Sequence, residues 1–397
     1  MDKKDIYRGA DRLSEVEFSP VRKVMERAKE IEKQGHDMVY FQIGEPDFNT
    51  PKDIIDAAIE SLKNNMTHYP PNRGMLSLRQ AVCRQLKNSD GLEYDPETEM
   101  LITIGGAEAV NIGIMAFVDS GDEVIIFTPA FMNYKNVIKM AGGKVIDVPL
   151  RKENGLQPDI EELAAKITPR TKMIVINNPS NPTGIVFKKD KLEKIAELAV
   201  NNNLLVVSDE IYNKITYDGE ECISIAAFPG MKERTITVNG FSKAYAMTGW
   251  RLGYVASDAR LITQMLKVHQ YSANCVPTFI QDGVARAMLS EGSLKAIDSM
   301  VATFRARRTL LLDGLTSIKK LSFSEPKGAF YVFLDVSGTG LRGEDFAKRL
   351  LEEKYVAVVP GIGFGENGRD YVRISFATSE EQIEKGLKRI REFVETL

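Results

Sequence analysis

Residues 239–254, NGFSKAYAMTGWRLGY, carry Lys243 in a polar loop just after the short β-type run 234–238. In a cleft, a lysine loses solvation, and its lowered pKa leaves a neutral amine able to form a Schiff base with a carbonyl compound. Ser242 beside it and Arg251 eight residues on add a hydroxyl donor and a planar fork of donors, a pair suited to phosphate. In an open loop the same lysine is an ordinary solvated charge, so its chemistry depends on its surroundings. Asp209 ends NLLVVSD, a run apolar enough for a central buried strand, where a carboxylate is costly unless a cation or donor meets it. A protonated pyridine nitrogen is one such partner, and an acidic N-cap for the next segment is an equal reading.

Tyr212 follows Asp209 by three residues and can point its phenol into the same space, while Asn181 ends a neighbouring run with an amide donor. Both suit a phenolate oxygen. In GGAEAV, Gly105 and Gly106 open a helix whose free N–H groups and dipole favour an anion. Phe131 reads either as a ring lying on an aromatic ligand or as core. Gly44 sits where backbone can approach a small ligand closely, or simply turns the chain. Tyr69, followed by two prolines, starts a rigid exposed loop.

Most of these residues end short apolar runs. MLITIGG, EVIIFTPAF, KMIVINNPSNPTG, NLLVVSDEIY and RTITVNGFSK each stop in small or polar residues, and helical stretches such as KDKLEKIAELAV join most of them. That alternation predicts an α/β domain with a mostly parallel sheet between helices. Ligands bind such sheets beyond the carboxyl ends of the strands, so these residues are expected to share one crevice. Upstream, Ser19-Pro20 opens an amphipathic helix stopped by Gly35, and a strand-like DMVYFQI follows. Downstream, a long helical stretch over 281–315 leads to shorter strands and helices, a smaller α+β domain. The expected division is an N-terminal arm and helix (1–45, part of the small domain), a large domain (46–279) and a small C-terminal domain (280–397).

The 52 basic and 55 acidic residues nearly cancel, and no Lys/Arg run stands clear of acidic neighbours, so neither nucleic acid nor a membrane surface is expected as a partner. The charged start MDKKDIYRGADRLSEVEF does not read as a secretory signal, no stretch has the length of a membrane span, and a cytoplasmic location is expected. Cys83, Cys222 and Cys275 are too few and scattered for a disulfide framework, and His36, His68 and His269 read as ordinary surface or partly buried residues, with no metal expected.

Together, GEPDF with TP after it, the Tyr69-to-Arg79 pattern Y-x-x-x-x-G-x-x-x-L-R, GGAEA, GDEVIIFTPAF, NNPSNPTG, SDEIY, FSKAYAMTGWRLGY and YVRISFA resemble the fold-type I pyridoxal-phosphate (PLP) enzymes, specifically the class I aspartate aminotransferase-like group. The resemblance spans nearly the whole chain and implies the PLP-dependent transferase fold. It implies that Lys243 forms the Schiff base with pyridoxal 5′-phosphate and then moves a proton between substrate Cα and cofactor, while Asp209 keeps the pyridine nitrogen protonated. Tyr212 and Asn181 would bond the ring oxygen. Gly106, Ala107, Ser242 and Arg251 would hold the phosphate, with Tyr69 reaching over from the other subunit of a homodimer, and Phe131 would stack on the ring. Arg373 would clamp the substrate α-carboxylate, helped by Gly44 and Asn181.

By the same resemblance the reaction is ping-pong transfer from an L-amino acid (aspartate, alanine, aromatic or other neutral) to a 2-oxo acid such as 2-oxoglutarate. A carbon–sulfur β-lyase or decarboxylase is the alternative on the same scaffold. Ala107 stands where one branch of the aspartate enzymes has a lysine for the distal carboxylate, which leaves the substrate open. Phe18 and residues 271–278 are expected at the side-chain pocket, and cis peptides at Thr128-Pro129 and Asn181-Pro182. Gly361, Gly363 and Gly365 precede a strand and not a helix, so they do not make a dinucleotide-binding loop.

Overall fold

A computed structural model of the chain describes residues 7 and 9–397; the rest of the expected N-terminal arm, residues 1–6 and 8, lies outside the described residues. The first elements are α1 (Pro20–Lys33), β1 (Val39–Tyr40), α2 (Lys52–Lys63), α3 (Leu76–Asp90), β2 (Met100–Thr103), α4 (Gly105–Met115), β3 (Glu123–Thr128), α5 (Met132–Met140) and β4 (Lys144–Pro149). Then come α6 (Ile160–Lys166), β5 (Thr171–Asn177), α7 (Lys189–Asn201), β6 (Leu205–Asp209), β7 (Thr235–Gly240), β8 (Gly253–Ala256), α8 (Ala259–Ser272) and α9 (Thr278–Ala287). The C-terminal part holds α10 (Glu291–Thr316), β9 (Ser322–Phe323), β10 (Tyr331–Asp335), α11 (Gly343–Lys354), β11 (Val356–Ala357), β12 (Val359–Pro360), β13 (Tyr371–Ser375) and α12 (Glu380–Glu395).

A seven-stranded sheet in the order β2-β8-β7-β6-β5-β3-β4 forms the large body. Its central strands are apolar along their whole length because both faces are covered. Val124 and Ile126 pack on one face with residues of α4, α5 and α8, whereas Ile125 and Phe127 pack on the other with residues of α6 and α7. Side chains alternate across a strand, so a continuous apolar run is what a doubly covered sheet requires.

Two strands escaped the sequence pattern. β4 lies at the sheet edge, half exposed and interrupted by Asp147. β8 is only four residues long and runs antiparallel to both β2 and β7. It is the sole reversal in this sheet among the described residues, and it returns the chain from the Lys243 loop into the core.

The small body is built on the antiparallel sheet β12-β13-β10-β9, with β1 and β11 as a parallel pair beside it. DMVYFQI contributes only the two residues of β1, since the next residue bridges sheets: Phe41 N–H donates to Ala357 O, and Phe41 O accepts from Ser375 N–H. The expected 281–315 helix is two helices. Ser290 interrupts it by capping α10, its Oγ accepting from Ser293 N–H at 3.1 Å. Ile280 and Val284 of α9 share a buried cluster with Ile54 of α2 and Leu78 of α3, so the expected boundary at residue 279 falls inside a helix packed on the large body. Among the described residues no helix is long and apolar enough to cross a membrane.

Candidate active site

A cavity of about 430 Å³ opens where the carboxyl ends of β2, β5, β6 and β7 face the small body. Lys243 lies three residues past β7, and its Nζ donates to Gly44 O at 2.6 Å. Burial draws its pKa down to about 8, and the cations of Arg373 and Arg251 act in the same direction against Glu45 and Asp209. The loop holding it is strained, with Ala246 at φ 50° and Arg251 at φ 53°. Non-glycine residues take that conformation only where their surroundings enforce it, which happens most often at functional sites.

Asp209 ends β6 at the cavity floor. Burial pushes its carboxyl up to about 6, opposed by the Tyr134 hydroxyl, the Ile211 N–H and Lys243. Tyr134 donates to Oδ2 at 2.6 Å and Ile211 N–H to Oδ1 at 3.2 Å. A buried carboxylate with two donors and, among the described residues, no cation in ion-pair contact still favours a cationic N–H partner.

Tyr134, on the first turn of α5, escaped the sequence reading because a tyrosine at helical spacing in FMNYKNV looks like core. Its hydroxyl favours the ionised form of Asp209. Tyr134→Phe is therefore expected to raise the carboxyl pKa further above about 6, by roughly 1–2 pH units, as followed by NMR titration of the Asp209 carboxyl. An unmoved titration would show that the phenol does not support this carboxylate.

At the other end of the cavity, α4 starts at Gly105 without a side-chain cap, and Gly106 and Ala107 of its first turn line the cavity together with Ser242 and Arg251. Gly105 takes φ +71°, a conformation that L side chains rarely adopt, which explains the glycine. The turn entering α4 is fastened by Glu108: Oε2 accepts from Ile104 N–H at 2.5 Å, and Oε1 lies 2.8 Å from His269 Nδ1. His269 is fully buried against this carboxylate, which corrects the expectation of an ordinary surface or partly buried histidine. Its partner is 161 residues away in sequence, so no local pattern signals it.

The third feature is Arg373 in the middle of β13. It is 3% exposed and has no carboxylate within ion-pair distance among the described residues. Nη1 donates to Asn181 Oδ1 at 3.0 Å and Nη2 to Gln42 O at 2.8 Å, and Nε has no partner. The guanidinium lies 4.5 Å from the Tyr331 ring centroid and 5.3 Å from that of Phe364. From Asn181 the hydrogen bonds run on, Asn181 N–H to Asn177 Oδ1 at 2.7 Å and Asn177 Nδ2 to Asp209 O at 3.0 Å, linking Arg373 to the strand end beneath Lys243. Tyr212 meets Tyr331 hydroxyl to hydroxyl at 3.0 Å. A Cβ on Gly44 would lie 2.7 Å from that Tyr331 oxygen, so only glycine fits there.

Gly44, Gly106, Ala107, Phe131, Asn181, Asp209, Tyr212, Ser242, Lys243, Arg251 and Arg373 thus all border one cavity. Tyr69 does not; it is 87% exposed on its own chain. Phe18 is also outside, 88% exposed beside an adjoining groove, and none of residues 271–278 reaches the cavity. Ser19, Val21 and Arg22 of the α1 start line that wall instead. The peptides Thr128-Pro129, Asn178-Pro179 and Asn181-Pro182 are cis. Among the described residues no group of three His, Cys, Asp or Glu side chains is placed to hold a metal ion.

The arrangement could take an anion at one end and a protonated nitrogen at the other. Between them an amine of depressed pKa can add to a carbonyl, and a carboxylate can dock on Arg373. Residues 36–390 match the family model "Aminotransferase class I and II". The chain is 44% identical to an aspartate aminotransferase of Pyrococcus abyssi, over 96% of this chain and 97% of that one. It is 42% identical to aromatic-amino-acid aminotransferase 2 of Thermococcus litoralis, again over 96% and 97% of the two chains. The structure of Thermus thermophilus aspartate aminotransferase with maleate superposes at a TM-score of 0.92, with 40% identity and 97% and 99% coverage.

Proposed function

We propose, from the premise that this chain belongs to the class I and II aminotransferases, that its cavity holds pyridoxal 5′-phosphate and that Lys243 joins it covalently. The protein is an enzyme that transfers amino groups. The cofactor suits the cavity: an anion cup, an amine of lowered pKa and a deep carboxylate match a phosphate, an aldehyde and a ring nitrogen. Bound there, it would supply a protonated ring that draws electrons from the bonds at the substrate Cα.

The protein's own groups do the rest. Lys243, once displaced by the incoming amine, would take the proton from Cα and return it two atoms away, to the carbon on the far side of the amino nitrogen. Asp209 would hold the proton on the ring nitrogen. Tyr212 and the free Nδ2 of Asn181 would donate to the ring oxygen, with Phe131 placed to pack on the ring. Gly106 and Ala107 N–H groups, Ser242 and Arg251 would hold the phosphate. Arg373, with Gly44 and Asn181, would orient the α-carboxylate so that the Cα proton faces Lys243. We assign an L-amino acid, aspartate or an aromatic one, as donor, and a 2-oxo acid such as 2-oxoglutarate as acceptor.

The observation carrying this reading is one amine, Lys243, its pKa drawn down to about 8, in the same cavity as Asp209 and Arg373, which has no carboxylate partner among the described residues. The test is to add amino acids singly to cofactor-loaded protein without an oxo acid. One equivalent of the matching oxo acid per site is expected, and none from any amino acid would refute the reading.

Tyr69 belongs to it as well. Its exposed phenol, stiffened by Pro70 and Pro71, would complete the phosphate cup of a second copy, so a homodimer is the working form. Sedimentation of the loaded protein is expected to give twice the chain mass of 44.3 kDa. A fully active species at that single-chain mass would rule the arrangement out.

A further inference from the structure

Four cationic side chains line the cavity, Arg22, Lys243, Arg251 and Arg373, against two carboxylates, Asp209 and Glu45. On the functional reading above, three of the cations have work: Lys243 is the reacting amine, Arg251 meets the phosphate and Arg373 the α-carboxylate. Both carboxylates are engaged too, Asp209 by Tyr134 and the Ile211 N–H, and Glu45 by Thr248, whose hydroxyl donates to it at 2.9 Å. Arg22 is left over. Among the described residues no carboxylate lies within ion-pair distance of it, although one of its faces borders a ligand cavity.

The backbone that carries it is set relative to Arg373 by packing, while the Arg22 side chain itself is exposed. Val21, the residue before it, packs into the cluster of Phe333, Val359 and Phe364. Phe364 is the ring 5.3 Å from the Arg373 guanidinium. The start of α1 is also seated closely on the turn after β12, since a Cβ on Gly363 would lie 2.5 Å from Pro20 Cγ. Arg22 and Arg373 are therefore carried by one apolar island and border the same cavity. A ligand with two carboxylates can give one to each.

We infer that Arg22 is a specificity-determining residue that receives the distal carboxylate of a dicarboxylic substrate, a short amino-dicarboxylic acid in one half-reaction and a 2-oxo-dicarboxylic acid in the other. An apolar or aromatic side chain reaching the same wall meets the Arg22 stem and Val21 without calling on the charge. This inference rests on the aminotransferase reading for its substrates, but its binding claim does not require turnover.

The test uses cofactor-loaded protein and the variants Arg22→Gln and Arg22→Lys. Two quantities are read: the ratio of kcat/KM for aspartate to that for phenylalanine, and the dissociation constant of succinate, an unreactive dicarboxylate, followed by cofactor absorbance. Arg22→Gln is expected to lower the ratio and to weaken succinate, each by roughly 10–100-fold, with the ratio change carried mainly by the KM of aspartate. Arg22→Lys is expected to keep part of both, because it retains the charge without the fork. Equal losses for the two amino acids, unchanged succinate affinity, or no succinate binding to the unaltered protein would each overturn the inference. If the unaltered protein binds succinate through Arg22 yet converts neither amino acid, the inference stands and the proposed reaction fails.

Discussion

Lys243→Ala is expected to lower turnover by on the order of 10⁴-fold or more, because one side chain supplies both the covalent anchor and the proton-transfer group. The substitution leaves the rest of the cavity in place. Ser242, Arg251 and the α4 N-terminus can still take the phosphate, and Asp209 still faces the ring nitrogen, so the cofactor is expected to remain bound without a covalent link. Borohydride reduction followed by peptide mass mapping separates the two roles. In the unaltered protein, reduction should fix the cofactor's mass on the peptide containing Lys243; in the variant no peptide should gain it. A small added amine such as methylamine is expected to restore part of the proton transfer. Attachment at another lysine, or substantial transamination by the variant, would remove Lys243 from its role. The depressed pKa also sets a pH dependence: the neutral, reactive fraction of the free amine grows as pH rises through about 8.

Asp209→Asn is expected to cost roughly 10²–10³-fold in kcat/KM, the scale of removing one partner from a buried charge pair. The amide keeps the shape and can still accept from Tyr134, so the loss isolates the negative charge. Its pH signature has a definite sign. Burial raises the carboxyl to about 6, and the charged form is present above that value and lost below it. The unaltered enzyme should therefore lose activity as pH falls through this region, or lower once a cationic ring nitrogen is bound. That limb should vanish in the variant. A variant with the full rate, or with the same acid limb, would show that another group titrates.

How much of this was legible in the chain follows from what each residue touches. Lys243, Asp209 and Asn181 could be placed because each follows an apolar run at its carboxyl end, and strand ends in a parallel sheet meet at one edge. Tyr134 and Tyr331 were not distinguished from core aromatics. Their hydroxyl partners, Asp209 and Tyr212, lie 75 and 119 residues away, and only the fold brings them together. Arg22 was invisible for the opposite reason, since it sits among the charges of an amphipathic helix, VRKVMERAKEIEK, where an exposed arginine is unremarkable. The short β8 lacked the length that marks a strand, yet it returns the Lys243 loop to the core.

The hydrogen-bond chain from Arg373 through Asn181 and Asn177 to the end of β6 crosses from the small body to the large one. A substrate carboxylate docking on Arg373 beside Asn181 would be gripped from both sides at once, like a key that also bolts the two halves of a lock together. The affinity for that carboxylate is then spent on holding the halves shut while the proton moves. A substrate lacking it, a simple amine, would enter a site that does not stay assembled, and its deficit would appear in the rate of conversion as well as in binding.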